Sequence, residues 1–207
     1  RRLLDDPVGQ PGRMLDQGLA AVSKLLLQAE SSFDGENYAY DGVIFYPRPV
    51  QSPVPIYVSG HSESTPSRIA KHAQGWLVSY PNLHSFKTDW SLVEEAMTAE
   101  GRSMSELDIT TTWAMRLDNT REEALINFKS SCQETLKTSG PARRTENWYA
   151  QNSLIGTPQD VAEFLVAFKN AGATHGVPLH IAADTYAELM EQLHRFAEEV
   201  MPLVRAA

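Results

Sequence analysis

Cysteine is nearly missing: Cys132 is the only one in 207 residues. That excludes an internal disulfide framework and any multi-cysteine zinc site, and a single thiol suits a reducing cytoplasm. Positive charge is scarce as well. Eighteen Lys and Arg stand against 26 Asp and Glu, a net charge of -8, and the basic residues are scattered. A nucleic-acid backbone or an anionic membrane would be repelled over most of such a surface. No run approaches the roughly 20 uninterrupted apolar residues that span a bilayer, and no signal peptide is visible, so a soluble, cytoplasmic chain is expected. Also missing are Gly-x-Ser-x-Gly, Gly-x-Gly-x-x-Gly, a P-loop, His-x-x-x-His and clustered carboxylates, so no metal site is expected. The chain begins at Arg1-Arg2 without Met, which fits the remainder of something longer.

What is present is ordinary globular material: 42% hydrophobic, 21% charged and 9% aromatic residues. This is enough apolar mass for a sizeable core, and it excludes a disordered chain. The spacing of Leu15, Leu19, Val22 and Leu26 predicts a helix over 13–27 with those four as its apolar stripe. Asp-Gly pairs at 34–35 and 41–42 among aromatic residues predict a hairpin, with an apolar run Val43-Ile44-Phe45. Prolines at 47, 49, 53 and 55 forbid helix, so 28–55 reads as a hairpin followed by a proline-rich strap.

From Ile56 the pattern alternates. Strands are expected at 56–58, 76–78, 109–117 and 177–182. Helices are expected at 66–73, 90–99, 121–137, 158–171 and from about Tyr186, the last with Tyr186, Leu189, Leu193, Phe196 and Val200 buried. Residues 138–156 read as a polar insertion. Thr65-Pro66, Thr120 with Glu123, Thr157-Pro158 with Asp160, and Thr185 with Glu188 read as capped helix starts. Short apolar strands alternating with amphipathic helices mean an α/β fold with a parallel sheet, read as one domain over 1–207. A (β/α)8 barrel takes eight strands and about 250 residues. Four repeats are visible here, so the sheet stays open or an N-terminal half completes it.

In such folds ligands lie at the carboxyl ends of strands. The turn Val58-Ser59-Gly60-His61-Ser62-Glu63-Ser64-Thr65-Pro66 ends a strand and opens a helix. Gly60 permits close backbone approach, and the helix amides with Ser62, Ser64 and Thr65 favour a phosphate. The same hydroxyls would equally serve as helix caps. Ser79-Tyr80, after the next strand, offers groups to line a flat ring, or an aromatic closing a barrel mouth. His72 and His194 read as lying on solvated helix faces. Cys132 reads as a packed thiol, and no catalytic residue stands out.

Four stretches carry a resemblance. Asp41-Gly42-Val43-Ile44-Phe45-Tyr46-Pro47-Arg48-Pro49-Val50-Gln51 leading through Ile56-Tyr57-Val58-Ser59-Gly60-His61-Ser62 resembles the luciferase-like monooxygenase family, where an aromatic-Pro-x-Pro-Val-Gln strap precedes a strand ending in a Gly-x-Ser turn. Ala73-Gln74-Gly75-Trp76 is similar to the family's Asp-Gly-Trp, with Gln74 replacing the acid. Ile155-Gly156-Thr157-Pro158-Gln159-Asp160-Val161-Ala162 resembles its Gly-Thr-Pro-Glu-Asp-Val-Ala. Gly12-Arg13 through Asp16 to Leu19 is similar to the helix before the strap. The resemblance implies a TIM-barrel-like fold, of which this chain is roughly strands five to eight. It also implies FMN or F420 as cofactor, a small-molecule substrate, and in some members a partner flavin reductase. Gly60, His61, Ser62 and Thr65 would hold the cofactor phosphate, and Ser79 and Tyr80 would lie near the ring. Substrate choice is expected in loops such as 81–90 and 138–156. Pro178 inside the last strand implies an edge or a local irregularity. An open edge would be covered by a partner or a second copy, hence a homo-oligomer. The alternative is a truncated flavin-binding or interaction protein without turnover, or a fragment inactive without its N-terminal half.

Overall fold

A computed structural model describes residues 11–60, 62–79, 81–138 and 146–207. In chain order the elements are α1 (Pro11–Leu27), β1 (Ser31–Asp34), β2 (Ala39–Val43), β3 (Tyr57–Val58), α2 (Thr65–His72), β4 (Gly75–Ser79) and α3 (Leu83–Ala99). A 3-10 turn at Met104–Glu106 leads to β5 (Asp108–Leu117), α4 (Arg121–Thr138), α5 (Glu146–Gln151), β6 (Leu154–Gly156), α6 (Pro158–Asn170), β7 (His175–Ile181) and α7 (Tyr186–Arg195). A π-turn over Phe196–Val200 joins α7 to α8 (Met201–Ala206). The chain falls into two compact units, Arg1–Gly75 with Val93–Leu107, and Trp76–Leu92 with Asp108–Ala207.

In the first unit β1 and β2 form the expected antiparallel hairpin, with Phe33 opposite Tyr40. The hairpin sits against α1, but not on the face that periodicity selects. Tyr40 donates its hydroxyl to the Ala21 carbonyl (2.8 Å), and the Asn37 amide donates to Gln17 Oε1 (2.9 Å). Ala21 is buried, while Leu15 and Val22 of the expected stripe are exposed. Polar anchors from the hairpin decide the orientation, and hydrophobic spacing does not register them. Ile44 and Phe45 of the predicted apolar run are likewise exposed. The strap beyond them has cis peptide bonds at Tyr46-Pro47 and Ser52-Pro53.

The second unit is built around β5. It is hydrogen-bonded to β4, β6 and β7, and its pairings with β6 and β7 are parallel. Seven consecutive residues, 111–117, are buried. Trp113 is wholly enclosed, its ring edge-on to Phe164 and Phe168 of α6, and its indole donates to the Pro81 carbonyl at 3.2 Å. Trp76 stacks on Phe86 at 5.7 Å, and Phe86 meets Phe168 at 5.4 Å, so β4, α3 and α6 share one aromatic core. Ala114 on the alternate face joins Ala124, Phe128, Ile155 and Ala182.

Several boundaries move for identifiable reasons. Helix α3 begins at Leu83 instead of Trp90, because Asn82 caps it: its side chain accepts from the Ser85 amide at 2.8 Å. The expected loop 81–90 is therefore mostly helix. Within 138–156 the described part holds α5 and β6. Trp113 pairs with Pro178 but Ala114 with His180, so Leu179 is an extra residue in β7. The proline thus stands at a bulge, the local irregularity foreseen for it.

In the last helix the expected stripe holds in part, with Val200 buried and Leu189 and Phe196 half-buried. Tyr186 and Leu193 are exposed, whereas Gln192 is almost wholly buried. Its side-chain oxygen accepts from the Leu117 amide (2.7 Å) and its amide group donates to the Leu117 carbonyl (2.8 Å). A glutamine that completes a strand end is invisible to a pattern that counts only apolar residues.

Gly172 turns the chain between α6 and β7. At φ +106° it adopts a backbone that side chains disfavour, and a Cβ there would fall 2.3 Å from the Trp90 ring. Its amide donates to the Lys169 carbonyl and that of Ala173 to the Phe168 carbonyl, which closes the helix end.

Candidate functional site

The turn after β3 starts from a conformational requirement. Gly60 has φ +149°, and a Cβ on it would lie 2.8 Å from Thr65 Oγ1, so the bend closes only around glycine. Thr65 is buried and looks back into the bend. Its hydroxyl accepts from the Ser62 amide (3.2 Å) and lies 2.9 Å from Ser62 Oγ, which in turn lies 3.1 Å from Ser64 Oγ. The Thr65 amide donates to the Ser62 carbonyl at 2.9 Å.

Thr65 is therefore not the capping residue that Thr65-Pro66 suggests. Ser64 holds the cap position without a side-chain cap bond, and Thr65 and Pro66 open the helix. The other three capped starts are as read. Thr120 with Glu123 and Thr157 with Asp160 exchange bonds in both directions, and Thr185 accepts from the Glu188 amide.

Ser59, Gly60, Ser62, Glu63 and Ser64 are exposed, so the bend faces solvent instead of being sealed under the helix. The amides of Glu63, Ser64 and Ser67 make no hydrogen bond within the described residues. These donors sit at the positive end of α2, where an anion is favoured. The structure thus brings Gly60, Ser62 and Thr65 into one bend. Ser79 is the half-buried last residue of β4 in the second unit. His61 and Tyr80 lie outside the described residues.

Arg68 was not singled out by sequence, and it supports the bend from below. It is buried on the second turn of α2, donates to Ser64 Oγ at 3.3 Å and to the Gly12 carbonyl at 3.3 Å, and forms an ion pair with Asp16. A basic residue on the apolar-looking face of a short helix was the available signal. Beside it His72 is half-buried, not on a solvated face. Burial lowers its pKa, with Asp16 acting the other way.

In the second unit, the carboxyl end of β5 carries a charged knot. Arg116 is nearly buried, donates to Asp118 (2.7 Å), to the Ala182 carbonyl (3.0 Å) and to Glu188. The Arg116 guanidinium, followed by the Asp184 amide, holds the Glu188 carboxyl below its usual range. All its members pair internally, so the knot fixes the strand end and offers no reactive group. Buried Thr112 Oγ1 and Ser153 Oγ are without a hydrogen-bond partner. Among the described residues, no group of three or more His, Cys, Asp or Glu is placed to hold a metal ion, and no helix is long and apolar enough to cross a membrane.

Comparison with known proteins gives the family and the fold. The sequence profile of luciferase-like monooxygenases matches residues 4–175. An FMNH2-dependent dimethylsulfone monooxygenase of Pseudomonas putida is 22% identical over 93% of the chain, and the chain spans 58% of that protein's length. A monooxygenase from Streptomyces bottropensis superposes with a TM-score of 0.77 at 21% identity, over 93% of this chain and 60% of that one. An F420-dependent secondary alcohol dehydrogenase in complex with an F420-acetone adduct superposes with a TM-score of 0.76 at 16% identity, over 98% and 65%. The α/β fold with its parallel sheet is that of these barrel enzymes, over part of their length.

Proposed function

The chain belongs to the luciferase-like monooxygenase family, and from that premise we propose that it is the cofactor-phosphate part of a flavin- or F420-dependent oxidoreductase. In this reading the Gly60–Thr65 bend receives the phosphate of FMN or F420. The carrying observation is the bend itself: a glycine-dependent turn at a strand tip, open to solvent, with helix-start amides that make no hydrogen bond within the described residues. The group fits these residues, since the exposed Ser62 and Ser64 hydroxyls lie in one cluster beside the Glu63, Ser64 and Ser67 amides, which make no hydrogen bond within the described residues.

Ser62 and Ser64 would donate to phosphate oxygens, and Arg68 would hold the Ser64 hydroxyl in place. Its charge is largely balanced by Asp16, which keeps it a positioning residue. His61 would lie in the same bend, and Ser79 and Tyr80 would face the ring. When bound, the cofactor supplies the redox step, as hydride transfer or, for reduced flavin, activation of dioxygen. The substrate would be a small molecule, and a flavin reductase would supply reduced FMN if FMN is the cofactor. A homo-oligomer is the proposed assembly.

The test is equilibrium binding of FMN and of F420 to the 207-residue chain. Saturable binding of one of them, weakened about tenfold in Gly60→Ala, is expected. Absence of binding by both at high micromolar concentration, or identical affinity in the variant, overturns the assignment.

A further inference from the structure

The second unit holds a crevice of about 320 Å³ that the cofactor reading does not use. Lining residues Thr111 and Trp113 come early in β5, and Thr174 to Gly176 open β7. Those strands are parallel, so the crevice lies at their amino ends, away from the Arg116 knot at the carboxyl end of β5. Its volume falls at the small end of the range for small-molecule sites.

Two properties of the wall point to one chemistry. The accessible inner surface is apolar, made by Leu165, Phe196, Met201 and Val204, with the enclosed Trp113 ring behind it. The ionisable lining residues are Lys169, His175 and Arg205, with no Asp or Glu among them. In a chain with 26 acidic against 18 basic residues, that is a local reversal of sign. Lys169 uses one donor on the Val204 carbonyl (3.0 Å), which leaves two for a ligand. Arg205 makes no ion pair among the described residues. Phe196 is the first residue of the π-turn, a feature found frequently at functional sites.

We propose that this crevice binds a medium-chain carboxylate, with its hydrocarbon body against the apolar wall of Leu165, Phe196, Met201 and Val204 and its carboxylate between Lys169 and Arg205. Hydrocarbon burial supplies the attraction, and the paired cations select an anion over a neutral head group.

The experiment titrates the 207-residue chain with decanoate, below its micellar concentration, by calorimetry, with decanol as the neutral control. One saturable site is expected, at least about tenfold tighter for decanoate than for decanol. Lys169→Met combined with Arg205→Met removes that preference and leaves decanol binding unchanged. Lys169→Arg keeps it. Val204→Phe fills the crevice and abolishes binding of both, with an unchanged thermal midpoint showing that the chain still folds. No saturable decanoate binding, equal affinity for the alcohol, or full affinity in the double methionine variant each overturns the assignment.

Discussion

The stretch 11–60 and the strand β5 treat their apolar residues in opposite ways. In the first, Leu15, Val22, Ile44, Phe45 and Tyr46 are exposed, and Val50 is entirely so. In the second, seven successive side chains are buried, with Trp113 enclosed by two phenylalanines. The proposed phosphate bend follows the looser stretch. Its shape depends on a few local contacts, the close approach of Gly60 to Thr65 and the hydrogen bonds between Ser62 and Thr65, whereas β5 is shaped by packing from both sides. Changes around β5 should therefore move stability, and changes in the bend should move ligand affinity with little effect on stability.

The most damaging test of that contrast is Trp113→Ala. It empties the centre of the aromatic core and should cost about 4 kcal/mol in urea unfolding. Next comes Gly172→Ala. A side chain is both disfavoured at φ +106° and driven into the Trp90 ring, for a loss of about 3 kcal/mol. Arg116→Leu strands Asp118 and Glu188 at the strand end and should cost about 2 kcal/mol, less than a fully buried pair because Glu188 is partly exposed.

The same knot has a pH signature. Glu188 has a lowered folded-state pKa, so its contribution is present above the ordinary carboxylate value and is lost as pH falls through the lowered one. Denaturation midpoints measured from neutral to acid pH should fall less steeply for Glu188→Gln than for the parent chain. The smallest effect is Val50→Ser on the strap, which should change stability by less than about 0.5 kcal/mol. A large effect there would show that the strap is packed in solution and would break the comparison.

The elements of the α/β repeat were readable because local chemistry and periodicity agreed. Thr157 with Asp160 and Thr120 with Glu123 mark helix starts that the structure keeps. The family, too, is legible in ordered short motifs from the strap to Gly156-Thr157-Pro158. Facing was less legible. The stripes of α1 and of the last helix hold only in part, and in each a polar side chain competes with the apolar pattern: Gln17 and the Tyr40 hydroxyl in one, Gln192 in the other. Of the candidate site, Gly60, Ser62 and Thr65 could be named from sequence, but the role of Thr65 as a brace for the bend could not. Arg68 escaped because its partners Asp16 and Gly12 are more than fifty positions away.

By itself, then, the order of residues settled most of the strands and helices, α5 and the buried strand β6 excepted, and where most helices begin, since capping, proline geometry and apolar spacing act within a few residues. It also settled kinship. Which helix face turns inward, that β7 bulges after Pro178, and that Arg116 gathers two acids at the end of β5 were decided only when distant segments met. Those outcomes rest on hydrogen bonds and packing between residues far apart in the chain, where polar partners compete with the apolar pattern and can win.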